Sequence, residues 1–136
     1  MEPKQRYTFK KDEKLKSRKT IEQLFKEGKS FSIFPFRILW NLHKKNTGPL
    51  QTGFAVSSKH FKKAVDRNRI KRLMREAYRL QKNDLQNQLT QQQKQAVVFF
   101  IYVGNELPEY SLIFEKTKAV LNGLIKITNE NSLANT

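Results

Sequence analysis

Residues 64–78 read AVDRNRIKRLMREAY, and how this stretch is read decides the fold. As a helix it separates into two faces. Arg67, Asn68, Lys71, Arg72, Arg75 and Arg79 fall within an arc of about 140° at about 100° per residue, while Ile70, Leu73, Met74, Ala77 and Leu80 fill the opposite side. From Arg67 to Arg79 five arginines and one lysine, Lys71, face a single glutamate, Glu76. Such a helix lays its apolar stripe on a core and turns a cationic ridge outward. The ridge repels itself unless a polyanion lies against it. Guanidinium is planar, bidentate and weakly hydrated, which suits phosphate and base edges better than ammonium does. Asn68, flanked by Arg67 and Arg69, either bonds a sugar or base or settles local packing, and both readings stay open.

Just upstream, Lys59, Lys62 and Lys63 stand at the helix entrance, with Ser57 or Ser58 as the expected N-cap. The positive helix end and these lysines together favour phosphate there. Residues 35–43 alternate: Phe36, Ile38, Trp40 and Leu42 on one face, Arg37, Leu39, Asn41 and His43 on the other. Residues 44–49 read as a turn, and 50–57 as a second or bent strand. A helix is expected over 17–27, with Ile21, Leu24 and Phe25 as its stripe and Gly28 ending it. Downstream, the Gln-rich stretch 86–95 reads equally as helix or loop. Residues 96–103 form an apolar run suited to a central strand covered on both faces, and 111–127 form a last amphipathic helix. The expected fold is an α/β (α+β) two-layer sandwich with a small, mostly antiparallel sheet, in the order α-β-β-β-α-β-α. Residues 1–14 read as a basic arm, 15–127 as one domain and 128–136 as a flexible tail.

Charge narrows the function. The chain carries a formal +15, of which residues 59–82 hold +8 and residues 83–136 hold −1. Charge concentrated in this way points to nucleic acid before an anionic membrane. There is no cysteine, so no disulfide or thiolate metal site. The longest apolar run, eight residues, falls far below the roughly 20 of a membrane helix. A soluble, cytoplasmic protein is expected. Protein-borne catalysis is not: His43 and His60 are far apart, and Asp66 and Glu76 project almost three turns apart on one helix, too far to share an ion. No catalytic and no metal-ligating residue is assigned. On residues alone Phe25 reads as core, although an aromatic beside Arg37 and Leu39 has the chemistry that unstacked RNA needs.

RNRIKRLMRE following a strand that ends in Ser-Lys resembles the signature of the bacterial ribonuclease P protein family. The wider stretch GFAVSSKHFKKAVDRNRIKRLMREAYR is similar to the family's strand-to-helix segment, and IEQLFKEGKS to its first helix and FxxGxS turn. The resemblance covers about residues 9–127. It implies a left-handed crossover between parallel strands, against the usual rule. It further implies a subunit of a ribonucleoprotein endoribonuclease whose RNA, with Mg²⁺ bound mainly by that RNA, hydrolyses the phosphodiester, with no protein partner required. Lys59, Lys62, Lys63, Arg67, Asn68, Arg69, Lys71, Arg72 and Arg75 match its surface for the catalytic RNA. Phe25, Arg37 and Leu39 match its cleft for the 5′ leader of precursor tRNA. Ser58 stands where a second lysine commonly precedes Lys59, and Ile21 and Leu39 where aromatics are often found. The rivals are a structural, ribosomal-type RNA-binding protein and a helix-turn-helix DNA regulator, the latter opposed by the strands at 36–57 and 96–103.

Overall fold

The computed structural model describes residue 9, residues 13–43 and residues 50–134, with backbone only for His43 and 131–134. The expected turn at 44–49 and most of the expected arm lie outside those residues. The elements are α1 (Arg18–Glu27), β1 (Lys29–Ile33), β2 (Phe36–His43), β3 (Gln51–Val56), α2 (Ala64–Gln81), α3 (Asn83–Gln91), β4 (Gln95–Tyr102) and α4 (Tyr110–Ala134). The fold is α+β, with one sheet in the order β1-β2-β4-β3. β1 and β2 are antiparallel, as are β2 and β4. β3 and β4 run parallel, so α2 and α3 form the crossover between them.

β4 sits in the middle because its run of apolar side chains needs cover on both faces. Val98, Phe100 and Tyr102 pair across with Trp40, Ile38 and Phe36 and enter the larger core with Ile70, Met74 and Tyr78 of α2 and Ile113, Val120 and Leu121 of α4. Val97 and Phe99 point the other way and join Leu15, Leu24 and Leu39 under α1. The ridge helix and α1 therefore lie on opposite faces of the sheet.

α2 is turned from its expected setting. Tyr78 lies within the cationic arc on the helical wheel, yet it is fully buried, while Leu80 of the expected stripe is exposed. Thr52 Oγ1 of β3 donates to Tyr78 Oη at 2.7 Å, and Phe54, Phe100 and Phe9 surround the Tyr78 ring at 5.5–6.0 Å. An aromatic with a satisfied hydroxyl outweighs a leucine for the buried place. Burial pushes the Tyr78 hydroxyl far above its ordinary pKa.

Several boundaries differ from the sequence reading. The sequence reading assigns no strand to 29–33, yet KSFSI forms a hairpin with β2 through a cis Phe34–Pro35 bond, and the strand expected over 50–57 is β3 alone. The Gln-rich stretch contributes α3, closed by Gln93 at φ 56°, a left-handed position that lets Lys94 N–H reach Leu89 O at 2.9 Å. Neither Ser57 nor Ser58 caps α2: its N-cap is Lys63, with no side-chain bond. The expected tail is helical through Ala134, because Thr128 is buried and Asn129 Oδ1 accepts from Gln88 and Gln92 of the α3 region at 2.9 and 3.1 Å. The end of the expected arm is part of the domain. Lys14 bridges to Thr52, and buried Glu13 accepts from Lys82 Nζ at 2.7 Å.

That last pair holds the joint between α2 and α3 to the chain before α1, with the ammonium also 5.6 Å from the Phe9 ring. Removing one partner of a buried pair strands the other charge, so Glu13→Ala should cost about 3 kcal/mol in urea unfolding. Glu13→Leu combined with Lys82→Met should restore most of it. A loss below about 1 kcal/mol for the single variant would mean the pair is effectively solvated.

Candidate nucleic-acid interface

α2 is tied down at its start by one of its own ridge residues. Arg67 Nη1 donates to Phe61 O and Lys62 O, each at 2.8 Å. Two carbonyls of the entry loop thereby accept from a charged donor, which fixes the loop against the helix. Phe61 is buried, its ring 6.0 Å from Tyr102. This anchor places Lys59, Lys62 and Lys63, all exposed, before the helix N-terminus. The sequence-predicted lysines and ridge thus form one continuous surface.

The ridge is not uniform. Arg79 pairs with Glu76, its Nε donating at 3.0 Å. The Arg79 side chain holds the Glu76 carboxyl below its ordinary pKa. Arg67 is half-buried in its loop contact. Asn68, Arg69, Arg72 and Arg75 are exposed and Lys71 half-buried, and none of these five makes an ion pair or side-chain hydrogen bond within the described residues. They are the groups available to a polyanion. Val65, 77% exposed, stands among them, a position the sequence reading left unassigned. An apolar side chain on that face suits a ribose or base rather than phosphate.

The second surface is built on the opposite face. Gly53 lies next to Phe99 in the parallel register, and a Cβ there would come within 2.8 Å of the Phe99 ring carbons. The missing side chain lets that ring lie across the strand. Phe25 of α1 then meets Phe99 edge-on, centroids 5.8 Å apart, and remains 55% exposed. Leu24 takes the core position, so Phe25 is surface and not core. Arg37 is exposed on the same sheet face, opposite Ile101. Leu39 requires a correction. At 4% exposure it is packed with Leu24 and Phe99 and serves as floor beneath the surface, because α1 covers its strand position. The roles of Phe99 and Gly53 were missed. Their only sequence signal is an aromatic and a glycine in neighbouring strands, which needs the register to be seen.

Among the described residues no group of three or more His, Cys, Asp or Glu gathers to hold a metal. No described helix is long and apolar enough to cross a membrane.

An α+β domain with a cationic helix on one sheet face and an aromatic-cationic surface on the other belongs to the class of small RNA-binding proteins. Comparison with known proteins is specific. The Ribonuclease P family profile matches residues 9–125. The ribonuclease P protein component of Porphyromonas gingivalis strain ATCC 33277 is 37% identical over 118 residues, covering 86% of this chain and 84% of its own. That of Bacillus pumilus is 32% identical, covering 87% and 89%. The RNase P protein from Thermotoga maritima superposes with a TM-score of 0.63 at 28% identity, covering 84% of this chain and 96% of its own. The Staphylococcus aureus RNase P protein, at 23% identity and TM-score 0.64, shares the fold over 82% of this chain and 94% of its own. The chain belongs to the ribonuclease P protein family.

The two arginine environments separate experimentally. Arg75→Ala should weaken binding of a structured RNA and reduce the slope of log affinity against log salt by about 1, with Tm unchanged. Arg67→Ala should weaken binding and also lower stability by about 1 kcal/mol, since the part-buried Phe61 carbonyl and the exposed Lys62 carbonyl lose a charged donor. Equal stability losses in both variants would show that the loop contact carries nothing.

Proposed function

We propose that this chain is the protein subunit of ribonuclease P, acting in the cytoplasm in the removal of the 5′ leader from precursor tRNA. The observation that carries the reading is the family match across nearly the whole fold, with the basic motif presented on an exposed and largely unpaired helix face. The catalytic RNA lies along Lys59, Lys62, Lys63, Asn68, Arg69, Lys71, Arg72 and Arg75, with Arg67 anchoring the loop that aims the lysines. The single-stranded leader lies over Phe25 and Arg37, above the Leu39–Phe99 floor. Because these surfaces occupy opposite sheet faces, one small domain clamps substrate to ribozyme.

The chemistry is assigned to the RNA. Mg²⁺, held mainly by that RNA, supports hydrolysis of the phosphodiester, and the described side chains contribute binding, orientation and screening of phosphate repulsion. The leader surface has one exposed aromatic at the matched positions, and Ile21 is half-buried beside the Leu39 cluster. Stacking is therefore limited to about one base, worth roughly 1–3 kcal/mol.

Multiple-turnover cleavage of a precursor tRNA by a bacterial ribonuclease P RNA at moderate Mg²⁺ tests the assignment. Stimulation by the protein, with no cleavage by protein alone, is expected. Tight RNA binding without stimulation would favour a structural RNA-binding role. Phe25→Ala should lower affinity for leader-bearing precursor about tenfold and leave mature tRNA binding unchanged; equal losses for both would remove the leader from this face.

A further inference from the structure

The end of the β1–β2 hairpin faces the loop between β4 and α4. Phe34 and Pro35 of the turn, Tyr102 of β4, residues 104–109 and Leu112 of α4 enclose an open hollow of about 360 Å³. Phe34 is 70% exposed, the second most exposed large apolar side chain among the described residues, and Leu107, Leu112 and Val103 are exposed beside it. Apolar groups gathered in one place and rimmed by polar ones mark a docking surface, whereas scattered ones do not.

The hollow is preformed. Val103 N–H donates to Pro35 O at 2.8 Å and Ser57 N–H to Tyr102 O at 3.2 Å, joining the hairpin turn, β4 and the end of β3. Tyr102 Oη donates to Glu106 O at 2.7 Å, which folds the loop back over the ring. A Cβ on Gly104 would stand 2.6 Å from that hydroxyl oxygen, so the wrap requires the glycine.

Its charge is opposite to that of the rest of the molecule. Residues 95–115 contain Glu106, Glu109 and Glu115 and no lysine or arginine, within a chain of net charge +15. Neither Glu106 nor Glu109 has an ion-pair partner among the described residues. Two carboxylates on the rim repel RNA. A second copy fits poorly, because its net charge resists association and an acidic rim does not complement itself.

We propose that this hollow docks a basic, apolar segment of another protein, with its aliphatic or aromatic side chains between Phe34, Leu107 and Leu112 and its cations on Glu106 and Glu109. None of the residues lining the hollow is one of the ridge cations or one of the leader-face residues Phe25, Arg37 and Leu39.

The test uses the full chain with methyl labelling and three titrants: a short synthetic peptide of alternating lysine and leucine, a matched serine–leucine peptide, and oligouridylate. The lysine–leucine peptide alone should shift the Val103, Leu107 and Leu112 methyl signals in a saturable manner, weakened by added salt. Phe34→Ser and the double variant Glu106→Gln with Glu109→Gln should each weaken that binding about tenfold, with Tm and structured-RNA affinity unchanged. Absent shifts, or shifts confined to other residues, would overturn the proposal. So would equal shifts with the serine–leucine peptide, a response to oligouridylate, or the same shifts on raising protein concentration alone, which would mean self-association.

Discussion

The whole arrangement depends on β4 being apolar on both faces. A strand that buries Val98, Phe100 and Tyr102 on one side and Val97 and Phe99 on the other cannot face water, so each sheet face needs a helix. α2 and α4 cover one face and α1 the other. Since each covering helix carries its own solvent-facing residues outward, the demand for double burial separates the cationic ridge from the Phe25 surface by the thickness of the sheet. A cationic face and an aromatic-cationic face on one small domain follow from the composition of one central strand.

The second constraint is how the cations are distributed between folding and recognition. A helix with this many like charges weakens the folded state through self-repulsion. The structure relieves part of it: Arg79 on Glu76, Arg67 on two loop carbonyls, Lys82 on Glu13. What remains unpaired is the contiguous set from Asn68 to Arg75 with the entry lysines. The charges absorbed by the fold lie at the two ends of α2, where they fix its loop and its junction with α3, and the unpaired ones lie along the helix between them and on the entry loop.

Much of this was legible in the residues. The α2 ridge, the central strand at 96–103, the α1 boundaries from Ser17 to Gly28 and the ribonuclease P resemblance all rest on local periodicity or short motifs. The misreadings share a cause. KSFSI has too few apolar residues to announce a strand, and it becomes one because β2 offers its free edge. TNEN looks like a frayed end until Gln88 and Gln92 reach across to Asn129. Leu39 belongs to the face that the resemblance assigned to the leader, yet α1 closes over it and leaves Arg37, two residues away, in solvent. Tyr78 looks like part of the polar arc until Thr52 satisfies its hydroxyl.

Sequence alone determined the types of α1, β2, α2, β4 and most of α4, the net charge and its concentration in residues 59–82, and the family resemblance, because helical spacing, strand burial and motif identity are properties of neighbouring residues. Tertiary structure alone decided which cations are free, how α2 is rotated on the sheet, that Phe25 rests on a ring admitted by Gly53, and that Phe34, Leu107 and Leu112 surround one hollow. Each of these depends on residues from separate elements meeting at a few ångströms. That proximity is set by the register and packing of the whole core, which no local stretch of the chain encodes.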